Sequence, residues 1–271
     1  MPTLPLKVLR YCSRFYRKTG FRCNSKKVVS IISWRDRRLI YGIILAGGSS
    51  QRFKRDTPKQ FIDLAGKPIL LWSISTFSKI RDFRKLIIVL PERWFEFGKK
   101  IVLSHLEDER LEFVVGGSTR TESLLKGLMF VKENYGVQDD DVAVTHDAAR
   151  PFVKCKDIVS SIKMCEKSSA ATLALPATET VAICEKDMIV NLTDRKRTFI
   201  VQTPQTFKIK TFLELFERLT EVQRASLTDA TGVFVMNNVP VSIVEGGPRN
   251  VKVTTELDLL IAEVIARTLS E

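Results

Sequence analysis

The chain has 271 residues, 44% hydrophobic and 27% charged, which suits one sizeable core with a small appendage. Its net charge of +12 suggests nucleic acid, but residues 1–40 hold eleven Lys or Arg against one acid, Asp36, so the body is nearly neutral and lacks an aromatic-basic binding motif. No apolar run is long enough to span a bilayer, five scattered cysteines form no CxxC pair, and two histidines cannot make a His-rich metal site.

Residues 1–40 are Arg-rich, poor in acids and weakly patterned. They read as an organelle transit peptide, as a basic arm, or as a dispensable extension from a start placed too far upstream. The absence of methionine between Met1 and Met129 suits the last. From Tyr41 strands and helices alternate. YGIIL (41–45) is a buried strand, KPILLWSISTFSKI (67–80) has helical spacing, and LIIVL (86–90) is a strand stopped by Pro91. A helix is predicted from about Trp94, then a strand EFVV (112–115) ended by Gly116-Gly117. Thr119–Glu122 resembles a capping box opening a helix. DVAVT (141–145) is a strand, 156–167 a helix and AATLAL (170–175) a strand. Short β-like pieces in 176–206 predict a projecting arm. Helices near 210–219 and 228–236, a strand at 240–244 and a helix from Thr255 complete the chain. This rhythm predicts an α/β fold, a mostly parallel sheet with helices on both faces.

Such sheets bind ligands beyond the carboxyl ends of their strands, and here three strands run into unusual loops. The first is Leu45–Arg52 (LAGGSSQR), followed by Pro58-Lys59-Gln60. Its glycines permit close approach to phosphates, and Arg52 and Lys59 add cations suited to a triphosphate. The order is neither a P-loop nor a dinucleotide fingerprint. The second, Gly116–Arg120 with Ser123, suits a flat base or ribose. In the third, Thr145–Pro151 (THDAARP), Asp147 and Arg150 either pair with each other or take the hydroxyls and phosphate of a phosphorylated polyol. His146 reads as a packed structural histidine. Lys252 lies in an apolar, strand-like run and needs an anion there.

Together LAGGSSQR…PKQF, GGSTRTES, THDAARPF, DRKRTFIVQTPQTF, SLTDA and NVKVTTELDL resemble the 2-C-methyl-D-erythritol 4-phosphate cytidylyltransferases in order and spacing, from Tyr41 onward. The resemblance implies a Rossmann-like nucleotidyltransferase fold in 41–271 and transfer of a cytidylyl group from CTP to that polyol phosphate. It implies Arg52 and Lys59 as transition-state stabilisers, and Arg195 and Lys252 as residues that position the substrate. Ala46, Gly47, Gly48, Gly117, Ser118, Ser123 and Ala148 would contact cytosine and ribose; Asp147, Arg150, Thr180 and Thr228 would hold the polyol phosphate. It further implies Mg²⁺ bound mainly through CTP phosphates, and a homodimer joined by the arm at about 176–206. Neither nucleic acid nor membrane is an expected partner. The expected location is cytoplasmic, or plastid if residues 1–40 are a transit peptide.

Some features lean to the sister family acting on ribitol 5-phosphate: AGG for AAG, PERW (91–94), KVTTELDL and the missing acid after Asp229. DAARP, DRKRT and VQTPQ lean back, and the sequence favours methylerythritol phosphate.

Overall fold

The computed structural model describes residues 38–47 and 57–270. Strand β1 (Ile40–Leu45) pairs in parallel with β4 (Phe83–Leu90) and β6 (Val142–Asp147), and β4 pairs with β5 (Leu111–Val115). Beyond β6 comes β10 (Phe199–Lys208), antiparallel to β6 and to β7 (Ala170–Pro176), with β11 (Ser242–Glu245) parallel to β7 at the edge. The order is β11-β7-β10-β6-β1-β4-β5. One inverted strand thus joins two parallel blocks.

Period-2 alternation divides the core between the faces. Ile40, Ile44, Leu86 and Ile88 face α1 (Ile69–Ser78), α2 (Phe95–His105) and α4 (Cys155–Cys165). Tyr41, Ile43, Ile87 and Val89 face α3 (Arg120–Tyr135), α5 (Ile209–Arg218) and α7 (Thr231–Met236). Gly42 leaves room for this packing, since a Cβ there would lie 2.7 Å from Leu86 and 3.1 Å from Phe77.

Four details differ from the sequence reading. Lys67-Pro68 open no helix; they form β3, paired with β2 (Asp63–Leu64) around Ala65-Gly66. Both turn residues have positive φ, and the Asp63 carboxylate accepts the Gly66 N–H at 3.0 Å, as a tight hairpin requires. A short helix α6 (Glu221–Ser226) went unpredicted, although Thr220 and Gln223 form a full capping box. At Thr119 only half of that motif forms: its hydroxyl caps Glu122 N–H, while the Glu122 carboxylate turns to the N–H and hydroxyl of Ser118. The stretch 251–254 is irregular rather than strand.

The projecting segment is shorter than 176–206. It leaves the sheet after Pro176, forms the hairpin β8 (Ala182–Glu185) and β9 (Met188–Leu192), and returns as β10. Residues 202–206 are buried in the main sheet, where a register shift between Gln202 and Gln205 accommodates Pro204. The final helix, α8 (Glu256–Ser270), packs through Leu259, Ala262 and Ala266 on Leu64, Ile69, Phe152 and Val253.

Candidate active site

Three predicted loops meet at the carboxyl edge of the sheet because short ladder bonds continue past the strands. Ala46 N–H donates to the Val89 carbonyl (2.9 Å), Gly116 N–H to Leu90 (2.7 Å) and Ala148 N–H to Leu45 (2.9 Å). A Cβ on Gly47 or Gly116 would stand 2.8 or 2.9 Å from the Ser123 hydroxyl, and one on Gly117 would strike Glu122. Gly117 N–H donates to that Ser123 hydroxyl at 3.1 Å. Ala46, Gly47, Gly117, Ser118, Ser123 and Ala148 thus lie at neighbouring strand ends and form a backbone-rich wall, its glycines packed closely on Ser123 and Glu122. Gly48 and Arg52 lie outside the described residues. Lys59 opens a 3-10 turn, and the side chain of the next residue, Gln60, donates to the Ala46 carbonyl at 2.6 Å, tying PKQ to the glycine loop.

At the end of β6 one carboxylate sits among three cations. Asp147 Oδ1 accepts Arg120 Nε at 2.9 Å and Oδ2 accepts Lys252 Nζ at 2.7 Å. Burial works to raise the Asp147 pKa, but Arg120 and Lys252 outweigh it and hold the carboxyl well below the usual range. Arg150 does not pair directly with Asp147; it donates from Nη1 to the Asn250 carbonyl at 2.8 Å. Burial lowers its pKa, with Asp147 opposing and Arg120 adding to that trend. Two positive charges remain in surplus. Arg120 Nη1 and Nη2 and Arg150 Nε are buried without a hydrogen-bond partner among the described residues. Unmet donors on buried guanidinium groups are costly, and an anion with several acceptor oxygens satisfies both charge and donors.

Beneath this cluster a polar layer fixes its geometry. His146 Nε2 lies 3.0 Å from the Arg150 carbonyl, which can only accept, so Nε2 carries the proton. The Thr203 hydroxyl therefore donates to His146 Nδ1 (2.9 Å) and accepts the Asp147 N–H (3.2 Å). Asn250 Nδ2 donates to the Thr203 carbonyl at 2.8 Å, and Val253 N–H to the Ala149 carbonyl at 2.8 Å. These bonds bring VQTPQ and NVKV to the Asp147 loop and carry Lys252 with them.

Burial pushes the His146 pKa down from 6.5 to about 4. Between those values the unfolded chain binds the extra proton, so stability falls as pH falls through that window. The loss approaches about 3 kcal/mol at the low end. Urea midpoints from pH 7 to 4.5 are expected to fall for the parent and much less for His146→Gln; equal slopes would remove His146 as the cause.

The other predicted substrate residues lie apart within one chain. Thr180 and Arg195 are exposed on the projecting segment, where Arg195 Nη1 reaches the Thr178 carbonyl at 3.5 Å. Thr228 is exposed in the loop before α7, which is tied to β10 by Ala230 N–H donating to Gln205 Oε1 at 3.0 Å. The residue missed from sequence is Arg120. It lies in the Gly116–Arg120 loop, which the sequence assigns to a base or ribose and not to the carboxylate cluster. A cation in the first turn opposes the helix dipole, and that mismatch was the available signal.

The sequence profile of the IspD family, 2-C-methyl-D-erythritol 4-phosphate cytidylyltransferase, matches residues 40–268. The chain belongs to this family. A ribitol-5-phosphate cytidylyltransferase of Lactiplantibacillus plantarum is 36% identical over 228 residues, covering 84% of this chain and 98% of that protein. The 4-diphosphocytidyl-2C-methyl-D-erythritol synthase structure from Anaerococcus prevotii matches with TM-score 0.71 and 25% identity, over 85% of this chain and 96% of that one. The Francisella tularensis 2-C-methyl-D-erythritol 4-phosphate cytidylyltransferase structure matches with TM-score 0.71 and 28% identity, over 83% and 99%. The protein is an IspD-family cytidylyltransferase, and its seven-stranded mixed sheet has the fold of these enzymes. Among the described residues no helix is long and apolar enough to cross a membrane.

Proposed function

We propose that this cytidylyltransferase joins CTP to ribitol 5-phosphate, giving CDP-ribitol and pyrophosphate. The observation that carries the chemistry is the surplus of two cations over one carboxylate beside the glycine wall, which suits a polyol phosphate next to a nucleotide. The choice of polyol rests on the 36% identity to the ribitol enzyme across 98% of its length, together with AGG, PERW, KVTTELDL and the missing acid after Asp229. Methylerythritol phosphate, on the isoprenoid precursor route, is the second reading; DAARP, DRKRT, VQTPQ and the family description support it.

In this mechanism a substrate phosphate oxygen, already ionised at neutral pH, attacks the α-phosphorus of CTP in line. The new P–O bond forms as the bond to pyrophosphate breaks, and no general base is required. Lys59 and Arg52 neutralise the charge developing at the α-phosphate and leaving group. Arg150, Lys252 and Arg120 gather the substrate phosphate, while Asp147 takes hydroxyls and keeps the cations in place. Ala46, Gly47, Gly48, Gly117, Ser118, Ser123 and Ala148 seat the cytidine. Magnesium, when bound, supplies further neutralisation of the triphosphate. In this reading its shell is mainly CTP phosphate oxygens and water, because magnesium dehydrates reluctantly and needs few protein ligands.

The reading includes a homodimer. Met188, Ile189, Val190, Leu192 and Ile200 are exposed on the projecting hairpin and its return strand, and a lone two-stranded ribbon is marginal in water. A second copy related by a two-fold axis would cover them and bring Arg195 and Thr180 to the neighbouring site.

Pyrophosphate release with CTP and Mg²⁺ decides the substrate. Ribitol 5-phosphate is expected to exceed methylerythritol 4-phosphate in kcat/KM by at least about tenfold. The reverse preference would transfer the assignment to methylerythritol, and turnover of neither would overturn both.

A further inference from the structure

Behind the Asp147 loop lies a separate cavity of about 300 Å³, at the lower end of the range for small-molecule sites. Its walls come from β3, the outer face of α1, the segment 151–155 that follows Arg150, Arg249, and the end of α8. Four cations line it (Lys67, Lys79, Lys154 and Arg249), and among the described residues no carboxylate does. Elsewhere basic side chains find acids: Lys85 with Glu112, Lys208 with Asp140, Lys210 with Asp139, Arg38 with Glu166. Among the described residues these four have no such ion pair. Burial lowers the Lys67 pKa, and Lys79 lowers it further, so the cluster already repels itself.

The same cavity has an aromatic wall. Trp72 and Phe152 meet edge to face with centroids 5.4 Å apart, and Lys67 Nζ stands 4.0 Å from the Trp72 ring. The indole is fixed because its N–H donates to the Leu64 carbonyl at 3.0 Å. A fixed ring surface beside cations that have no carboxylate partner among the described residues suits one chemistry, a flat apolar body with negative charge at its rim.

We propose that this cavity is a second ligand site, distinct from the strand-end site, for a compact aromatic polyanion. The ring lies against Trp72 and Phe152, and its anionic groups reach Lys67, Lys79, Lys154 and Arg249. Such a ligand touches two segments that continue directly into the active site, through Arg150 on one side and Asn250–Lys252 on the other.

Naphthalene-1,5-disulfonate is a suitable probe, measured by equilibrium dialysis against the full chain at physiological salt. Lys79→Glu/Arg249→Glu reverses two exposed charges and leaves the core untouched, so it tests the site without testing the fold. This double variant is expected to weaken probe binding by at least about tenfold. Lys59→Ala, on the strand-end side, is expected to bind as the parent does. Neutral 2,7-dihydroxynaphthalene, a ring without charge, and sulfate, a charge without ring, are each expected to bind far more weakly. Equal binding by the parent and double variant, loss confined to Lys59→Ala, or sulfate competing as well as the disulfonate would overturn the proposal.

Discussion

Replacing Lys252 with alanine is expected to lower turnover on the order of 10²–10³-fold while leaving the fold intact. The side chain is about a third exposed, and the backbone position depends on the Val253 N–H bond to Ala149, which the substitution keeps. What is lost is one of three cations around Asp147. Arg120 still holds Oδ1, so the carboxylate is not stranded, but Oδ2 loses its partner and the pocket loses half of its charge surplus. Steady-state assays with the preferred polyol phosphate check this, with far-UV circular dichroism as the fold control. Lys252→Arg would keep charge but not shape, and partial recovery in that variant would show that charge dominates. Near-normal turnover in Lys252→Ala would reduce the lysine to a surface ion pair.

The second large effect concerns the projecting hairpin. Arg195→Ala and Lys59→Ala are each expected to be nearly inactive alone, yet a mixture of the two is expected to regain activity after subunit exchange. If Arg195 serves the neighbouring chain's site, each mixed dimer holds one site with both defects and one with neither. Random exchange then restores about a quarter of the parent activity. Exchange confirmed by differently tagged chains, with no return of activity, would place Arg195 in its own chain's site or nowhere near chemistry.

The strands and the three strand-end loops were legible in the sequence because they depend on local pattern: continuous apolar runs followed by glycine or a charged turn. Asp147, Arg150 and Lys252 were legible for a related reason, as charges where the pattern called for apolar or turn residues. Arg120 was not: a first-turn arginine against the helix dipole is unusual, but nothing nearby says that it folds back to a carboxylate 27 positions away. The role of VQTPQ was equally hidden. Thr203 gains meaning only when β10 lies beside β6, and strand partner choice is a long-range outcome that periodicity does not encode. The capping box of α6 is local and readable, but six residues give too short a hydrophobic period to mark a helix.

β10 carries two obligations along one unbroken strand. Its first residues, Phe199–Val201, are exposed beside the hairpin, while Gln202–Phe207 are buried in the sheet with Thr203 facing His146. Side chains alternate along a strand, so one residue gained or lost between Phe199 and Gln202 turns Thr203 away from the histidine unless the existing bulge absorbs it. The two-residue turn at Lys186-Asp187 carries no such debt, being exposed and already bent through a positive φ at Lys186. An insertion therefore has room at the tip of the hairpin and almost none at its root.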